Sequence, residues 1–210
     1  MKKLLLAIAL FVVSLTAPLA SYAADQAAVL SAKDKKDLSR IEVYLNGLKN
    51  IAADFLQVDD AGGFMRGQIS ISRPGKMRVN YDPPSKDFII ADGSFVHIWN
   101  DDLKSQTNVL QSSSLAEFIL RDPIKFSGEV TVTKIERFPA KLEVTLAQSD
   151  DPGVGSLTLV FQDKPLKLRQ WKVVDAQGRL TGVTLEKVTE DIVFPSDKFV
   201  FTPPSFENNP

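Results

Sequence analysis

The spacing of apolar residues changes once along the chain, from a helical repeat to a strand repeat. Near the start, four leucine and isoleucine residues recur at steps of three and four, which places them on one face of a helix: Leu38, Ile41, Leu45 and Leu48. Asp34 precedes this stripe and is of a residue type that caps helix N-termini. The same stripe would continue to Ala52 and Phe55, so the pattern leaves the end of the helix open.

Beyond this helix, apolar and polar residues alternate, and turn signals such as Asp92-Gly93 recur every ~8–12 residues. Leu142 and Val144, for example, fall on one side of a strand and Glu143 on the other. We predict strands near residues 65–73, 76–81, 86–91, 94–100, 129–136, 140–148, 155–162, 166–174 and 179–188, with shorter ones near 55–58 and 103–107. One buried and one wet face is typical of antiparallel sheets, and so many successive hairpins favour a large curved sheet or an open barrel.

A second short helix interrupts the strands. Ser114 and Glu117 have the spacing of a capping box, in which serine and glutamate satisfy each other's backbone donors. Phe118 lies on the apolar side of this helix, and Asp122-Pro123 ends it. Two short helices are a small cover for the concave face of so large a sheet.

The first 23 residues read as a signal peptide. Lys2 and Lys3 form a basic start, an apolar run of about twelve residues follows, and small residues allow cleavage after Ala23. The alternative is an uncleaved membrane anchor, but this run is short for crossing roughly 30 Å of hydrocarbon. We therefore expect residues 24–210 to form a single mature domain.

The composition excludes several kinds of chemistry. The chain contains no cysteine, which rules out disulfides, thiolate nucleophiles, cysteine-ligated zinc and lipid attachment through a cysteine. A formal charge of -1 with well-mixed signs shows no electrostatic footprint for nucleic acid. His97 is the only histidine, and its apolar strand favours a structural role. Phosphate-loop, dinucleotide-binding and zinc-protease motifs are absent, so we expect no enzyme activity, no metal and no cofactor.

Two adjacent segments carry a resemblance to a known family. Residues 71–84 (ISRPGKMRVNYDPP) and 88–99 (FIIADGSFVHIW) resemble the signature of the outer-membrane lipoprotein carriers of the LolA family. Residues 55–57 and 198–204 are similar to that family as well. The resemblance implies a mainly β fold with a few helices, in which an incomplete antiparallel β-barrel is closed by a small helical lid over an apolar cavity.

The resemblance also implies a function. A LolA-like protein would work in the periplasm, shield the acyl chains of lipoproteins released by an inner-membrane ABC-type complex, and deliver them to the outer membrane or a receptor there. We expect it to act as a monomer. The alternatives are a binding module of the same fold that senses acylated or lipid ligands, and a structural β domain without a ligand.

Arg73 is the most informative single position. Strand parity puts it on the same face as Ile69 and Ile71, and Pro74 then ends the pairing, so Arg73 stands beside an apolar surface at a strand end. A guanidinium there needs acceptors or water. It either extends into solvent or bonds exposed carbonyls of a lid helix; the resemblance favours the second, a latch.

Aromatic and flexible apolar residues cluster around the signature and are candidates for contact with acyl chains. Ordinary core packing is the alternative for each of them, and the pattern leaves open which strand face looks into the cavity. The predicted cavity residues are Ile69, Ile71, Met77, Val79, Tyr81, Phe88, Ile90, Phe95, Trp99 and Phe118.

Overall fold

The computed structural model describes residues 27–114 and 116–204. The predicted signal peptide lies outside them. Eleven antiparallel strands form one sheet in the order β6-β5-β4-β3-β2-β1-β11-β10-β9-β8-β7. The strands are β1 (Asn50–Asp59), β2 (Phe64–Ser72), β3 (Lys76–Tyr81), β4 (Phe88–Asp92), β5 (Phe95–Asn100), β6 (Ser105–Leu110), β7 (Val130–Phe138), β8 (Lys141–Gln148), β9 (Gly155–Gln162), β10 (Lys167–Asp175) and β11 (Leu180–Glu190).

Two helices, α1 (Ala32–Gly47) and α2 (Ala116–Leu120), lie with this sheet. The edge strands β6 and β7 do not pair with each other within the described part of the chain, so the sheet is strongly curved but not closed. The predicted class, a mainly β fold with an incomplete antiparallel barrel and few helices, is confirmed.

The N-cap of helix α1 lies three residues before the predicted cap, Asp34. It is Ser31, and Asp34 is the third helical residue rather than the cap. The Asp34 N–H donates to Ser31 Oγ at 3.2 Å, and the Ser31 N–H donates to Asp34 Oδ2 at 2.8 Å, which completes a capping box. The helix ends at Gly47, so the continuation of its stripe to Phe55 belongs to a strand.

That strand, β1, is the largest difference from the sequence prediction, which placed only a short strand near 55–58. It runs over ten residues and pairs with both β2 and β11, joining the early and late halves of the sheet. Ile51, Ala53 and Phe55 alternate as buried residues on its inner face. Their alternation is masked because Leu48 and Phe55 also fit the helical spacing of α1.

Helix α2 is capped differently from the predicted capping box. Ser114 Oγ donates to the Gln111 carbonyl at 2.8 Å, and Glu117 Oε2 accepts from Gln111 Nε2 at 2.9 Å. Gln111 belongs to a single turn of 3-10 helix just after β6 and is almost fully buried. One buried glutamine therefore organises the entry into α2.

Extra residues in three strands help the sheet to curve. The extra residue lies in β11 where Ala52 and Asp54 of β1 pair with Thr189 and Glu186, in β10 between Leu168 and Gln170, and in β7 between Val132 and Lys134. Such bulges increase local twist and bend a strand. At the second bulge the Leu168 N–H donates to the hydroxyl of Tyr44 in α1 at 3.0 Å, which seats the helix on the inner side of β10.

A glycine in β2 permits the close packing of the neighbouring strands. Gly67 pairs with Phe55 on one side and Tyr81 on the other, and these two rings meet edge to face with centroids 5.5 Å apart. A Cβ at Gly67 would lie 2.1 Å from the Asn80 carbonyl oxygen and 2.9 Å from the Phe55 ring. Both distances are too short for a side chain of any size.

We therefore expect Gly67→Ala to destabilise the protein by about 1–3 kcal/mol, the range for overpacking a core. Gly47→Ala is the control, because a Cβ there meets nothing within 4 Å and alanine favours the helix. Urea unfolding of both variants measures the effect. Equal midpoints for the two variants would contradict the close approach at Gly67.

Candidate functional site

A cavity of about 520 Å³ lies inside the curved sheet. Its walls come from the inner faces of β1–β6 and β9–β11 and from the segment that includes α2. This volume falls in the range of about 300–1,000 Å³ typical of sites for small molecules. Most of the lining side chains are apolar, among them Phe55, Ile69, Ile71, Met77, Val79, Ile89, Val96, Leu157, Trp171, Val173 and Val183.

A second, smaller pocket continues from this cavity beneath the last turn of α1. It has a volume of about 20 Å³, roughly enough for one water molecule. Leu45 of α1 and Leu48, the residue that follows the helix, line it on one side, and Ile71 and Trp171 line both spaces. The end of α1 is therefore the partition that closes the apolar interior on this side.

Five of the ten predicted cavity residues line the large cavity: Ile69, Ile71, Met77, Val79 and Tyr81. They come from β2 and β3, where alternation along the strands gives a clear inner face. Phe118 of α2 lines the small pocket instead. The cavity-lining part of the prediction thus agrees with the structure for these two strands.

The other four predicted residues do not line either space, and their placement corrects the prediction. Phe88 and Ile90 of β4, and Phe95 and Trp99 of β5, lie on the opposite face from the lining residues of the same strands, which are Ile89 and Val96. Phe88 stacks on Trp99, with ring centroids 6.3 Å apart.

The outer face of β4 and β5 is covered by the final described segment of the chain. The Phe201 ring lies 5.7 Å from that of Phe88 and 4.7 Å from that of His97. Arg78 lies over the Phe88 ring and donates to the Lys198 carbonyl at 3.4 Å. Because β4 is apolar on both faces, its sequence has no alternation that could identify the inner one.

Several lining residues were missed because they lie far from the signature segments. Trp171 and Val173 in β10 and Val183 in β11 complete the wall opposite β2 and β3. The alternation of β10 and β11 predicts an inner face, but only the pairing of β11 with β1 brings that face to the cavity.

Arg73 lies at the end of β2, next to the small pocket, and its guanidinium is directed at α1. Nη2 donates to the carbonyl oxygens of Leu45 and Leu48 at the C-terminal end of the helix, where the Leu45 carbonyl also accepts from the Leu48 N–H at 3.1 Å. Nη2 is bonded in this way and Nη1 is out of contact with solvent, so the alternative of a solvent-exposed guanidinium is wrong. Nη1 is buried without a partner among the described residues.

Backbone bonds from the same turn add to this contact. The Arg73 N–H donates to the Lys49 carbonyl at 2.9 Å, and the Gly75 N–H donates to the Leu120 carbonyl at the end of α2 at 2.8 Å. Burial lowers the pKa of Arg73, and the carboxylate of Asp122 opposes this. The turn between β2 and β3 therefore holds the C-terminal ends of both helices.

The two helices are also tied to each other. Asn46 of α1 forms two bonds to the backbone of Ile124, from Nδ2 to the carbonyl at 2.9 Å and to Oδ1 from the N–H at 2.8 Å. Glu42 Oε1 accepts from the Phe126 N–H at 2.7 Å, and Lys49 pairs with Asp122 at 2.6 Å. We call α1, α2 and residues 121–126 together the lid.

The N-terminal half of α1 is anchored by charges. Arg137 of β7 donates to Asp34 and Asp37, each at 2.6 Å, and Arg40 bonds Asp37 at 2.9 Å and also Asp163.

The bond from Ser31 and then that from Arg137 lower the pKa of Asp34 to about 2. Burial alone would raise the pKa of Asp37, but Arg137 and Arg40 hold it below its usual value.

Polar groups line the cavity at the end away from Arg73. Tyr81 Oη donates to Gln57 Oε1 at 3.0 Å inside the wall, and burial raises the pKa of Tyr81. The turn that joins β10 to β11 contributes Asp175 and Arg179, and Asp151 lines the cavity from the turn before β9. The interior is therefore apolar near α1 and polar at its opposite end.

Similarity to known proteins identifies the family of this chain. The model of the family described as outer membrane lipoprotein carrier protein LolA matches residues 46–202. The chain belongs to the LolA family. An outer-membrane lipoprotein carrier protein of Pseudomonas entomophila is 27% identical over 186 residues, which cover 84% of this chain and 89% of the relative. One of Chromobacterium violaceum is 24% identical, with 89% and 93% covered.

Among solved structures, a LolA superfamily protein from Nitrosomonas europaea aligns with 78% of this chain and 97% of its own, at 10% identity and a TM-score of 0.47. None of the helices within residues 27–114 and 116–204 is both long and apolar enough to cross a membrane. Over the same residues, no three or more His, Asp or Glu side chains gather in a way that could hold a metal ion.

In this LolA-family chain the anchor of α1 should respond to acid. A carboxylate with a lowered pKa contributes stability above its ordinary pKa and loses that contribution as the pH falls through the lowered value. The N-terminal half of α1 should therefore loosen as the pH falls from about 4 towards 2.

Arg137→Met should raise the pKa of Asp34 from about 2 towards, but not to, its usual 3.8, because the bond from Ser31 remains. A carboxyl NMR titration measures this directly. Arg66→Met is the control, since Arg66 pairs with Glu186 on the outer face. An unchanged Asp34 midpoint in Arg137→Met would show that Arg137 does not hold the helix.

Proposed function

We propose that this protein carries the acyl chains of lipoproteins across the periplasm, from the inner membrane to the outer membrane, without catalysing a reaction. The observation that carries the proposal is the apolar cavity of about 520 Å³, closed on one side by a helix whose end is held by Arg73. Membership of the LolA family and relatives named as lipoprotein carriers support it.

The energetics of acyl chains fit such a role. Removing one methylene from water gains roughly 0.8 kcal/mol, so a chain of about sixteen carbons is worth on the order of 12 kcal/mol. A lipoprotein with such chains exposed would insert into a membrane or aggregate. A cavity that bound the chains with all of this free energy would never release its cargo. A carrier therefore needs an empty, closed state stable enough to compete with the loaded one.

The latch, defined as Arg73 with the carbonyls of Leu45 and Leu48, would supply that competing state. It stabilises the empty, closed protein. Chains that fill the cavity reach the small pocket past Ile71 and Trp171, and further entry has to displace the end of α1. The free energy needed to break the latch then reduces the net gain of binding, since a ligand shifts an equilibrium only by its preference for one state.

The remaining parts of the proposal rest on the family resemblance. An ABC-type complex in the inner membrane would load the carrier at the expense of ATP, and a receptor or the outer membrane itself would receive the cargo. Residues 1–23 would direct export and be removed, leaving residues 24–210 as one monomeric carrier domain. Neither a metal nor a cofactor takes part.

The cavity should take up apolar molecules from native solution. We expect an environment-sensitive dye to bind the purified protein saturably and a triacylated peptide to displace it. The cargo peptide without its acyl chains should leave the dye in place. Dye binding that does not saturate, or that the triacylated peptide does not reduce, would contradict a lipid cavity.

Arg73→Leu should load cargo at least as well as wild type and release it more slowly. Loss of hydrogen bonds from a charged donor removes roughly 1.5–3 kcal/mol from the closed form, or about one to two decades in the opening equilibrium. Transfer of a radiolabelled lipoprotein from each carrier to outer-membrane vesicles measures the release.

Arg66→Leu is the matched control, because it removes an arginine that pairs with Glu186 at 3.4 Å on the outer face. It should transfer cargo at the wild-type rate. Equal release by Arg73→Leu and wild type, at equal folding stability, would mean that Arg73 is not a latch.

A further inference from the structure

The turn between β10 and β11 places a fixed cation at the polar end of the cavity. Asp175 is buried, with 5% of its side chain exposed, and its Oδ1 accepts from the N–H groups of Gln177 and Arg179, each at 2.9 Å. Its Oδ2 accepts from Arg179 Nε at 2.7 Å and Nη2 at 2.6 Å. A buried carboxylate that is bonded on both oxygens holds the guanidinium in one orientation.

The charges of this site are set by its surroundings. Burial alone would raise the pKa of Asp175, but the backbone and side-chain bonds from Arg179, with that from Gln177, keep it below its usual value. The carboxylate therefore stays charged and paired. The Arg179 side chain is still 51% exposed, and Nη1 bonds no group in the described parts of the chain.

The Asp175–Arg179 pair is part of the cavity wall as well as of its own turn. Asp175, Gln177 and Arg179 all line the cavity, directly after the apolar Val173 of the same wall. At the same end of the cavity, the Tyr81–Gln57 pair is the polar part of the β1 and β3 wall. An amphiphile whose chains point towards α1 would have its head between these groups.

The net charge at this end restricts the kind of head that fits. Asp151 also lines the cavity and forms no side-chain ion pair among the described residues, so the charged groups of the lining are two carboxylates and one guanidinium. A phosphate or free carboxylate would meet repulsion from Asp151. An uncharged head rich in carbonyl oxygens would accept from Arg179 without that cost, and hydrogen bonds to charged donors are the stronger kind.

We propose that Arg179, held by Asp175, is a subsite for the ester or amide carbonyls of an uncharged, acylated head group. This deepens the proposed function and rests on it: the cavity takes the chains, and Arg179 distinguishes acyl esters from other amphiphiles of equal length. Asp175 is the positioning residue. The chemical class of ligand is a neutral diacylglyceryl group, whose two carbonyls lie next to the chains.

Displacement of the cavity-bound dye by three matched lipids tests this. Dioctanoylglycerol carries two ester carbonyls, dioctylglycerol has ethers in their place, and dioctanoyl phosphatidic acid adds a phosphate. Wild type should bind the ester at least about 10-fold more tightly than the ether, as expected for one hydrogen bond from a charged donor. It should bind the phosphatidic acid more weakly than the neutral ester.

Arg179→Gln should bring the ester-to-ether ratio close to one while leaving the affinity for the ether unchanged. Arg179→Lys, which keeps a cation beside Asp175, should restore part of the ratio. Arg66→Gln, the matched change at an ion pair on the outer face, should keep the wild-type ratio. Thermal unfolding of all variants separates these effects from changes in stability.

Each contrary result has its own meaning. A wild-type ratio near one, equal weakening of ester and ether by Arg179→Gln, or tighter binding of phosphatidic acid would overturn the subsite while the cavity stood. If wild type bound none of the three lipids, the proposed function itself would be overturned, and the subsite with it.

Discussion

An open sheet of eleven strands has a concave apolar face that two short helices do not fill, and the other features of the molecule follow from this constraint. In most small domains such a face is covered until no space remains, because an empty interior forfeits contacts between atoms. Here α1 packs on the inner side of β10 and leaves the space towards β3 and β4 open. The vacancy has the volume and lining of a binding site.

The attachments of α1 differ at its two ends. The N-terminal half is bound by several ion pairs that involve Arg137, Arg40 and three carboxylates. The C-terminal end is held by one guanidinium and is bonded to the segment that follows α2 through Asn46. A helix fixed in this way should pivot about its first turns, and residues 121–126 should move with it. Small changes at Arg73 would then move the whole lid.

The sequence predicted what depends on local alternation and left out what depends on pairing between distant segments. Alternation of Ser70 and Ser72 with Ile69 and Ile71 was sufficient to place Arg73 on the inner face. The strand β4 has apolar residues on both faces, so Phe88 and Ile90 could not be assigned to the outer one. The wall of β10 and β11 reaches the cavity only through the pairing of β1 with β11. Likewise, Arg137 and Asp34 meet across 103 positions of chain, where no local pattern links them.

The last described segment of the chain has a mechanical consequence. It covers the outer side of β4 and β5, where Phe201 packs on Phe88 and His97, so this wall of the cavity is supported from outside. On the opposite wall, the outer-face side chains of β10 and β11, among them Lys172 and Thr184, remain partly exposed. A cavity with one stiff and one compliant side should swell in one direction as it fills. The width of the cavity available to a bound molecule would then depend on residues that never contact that molecule.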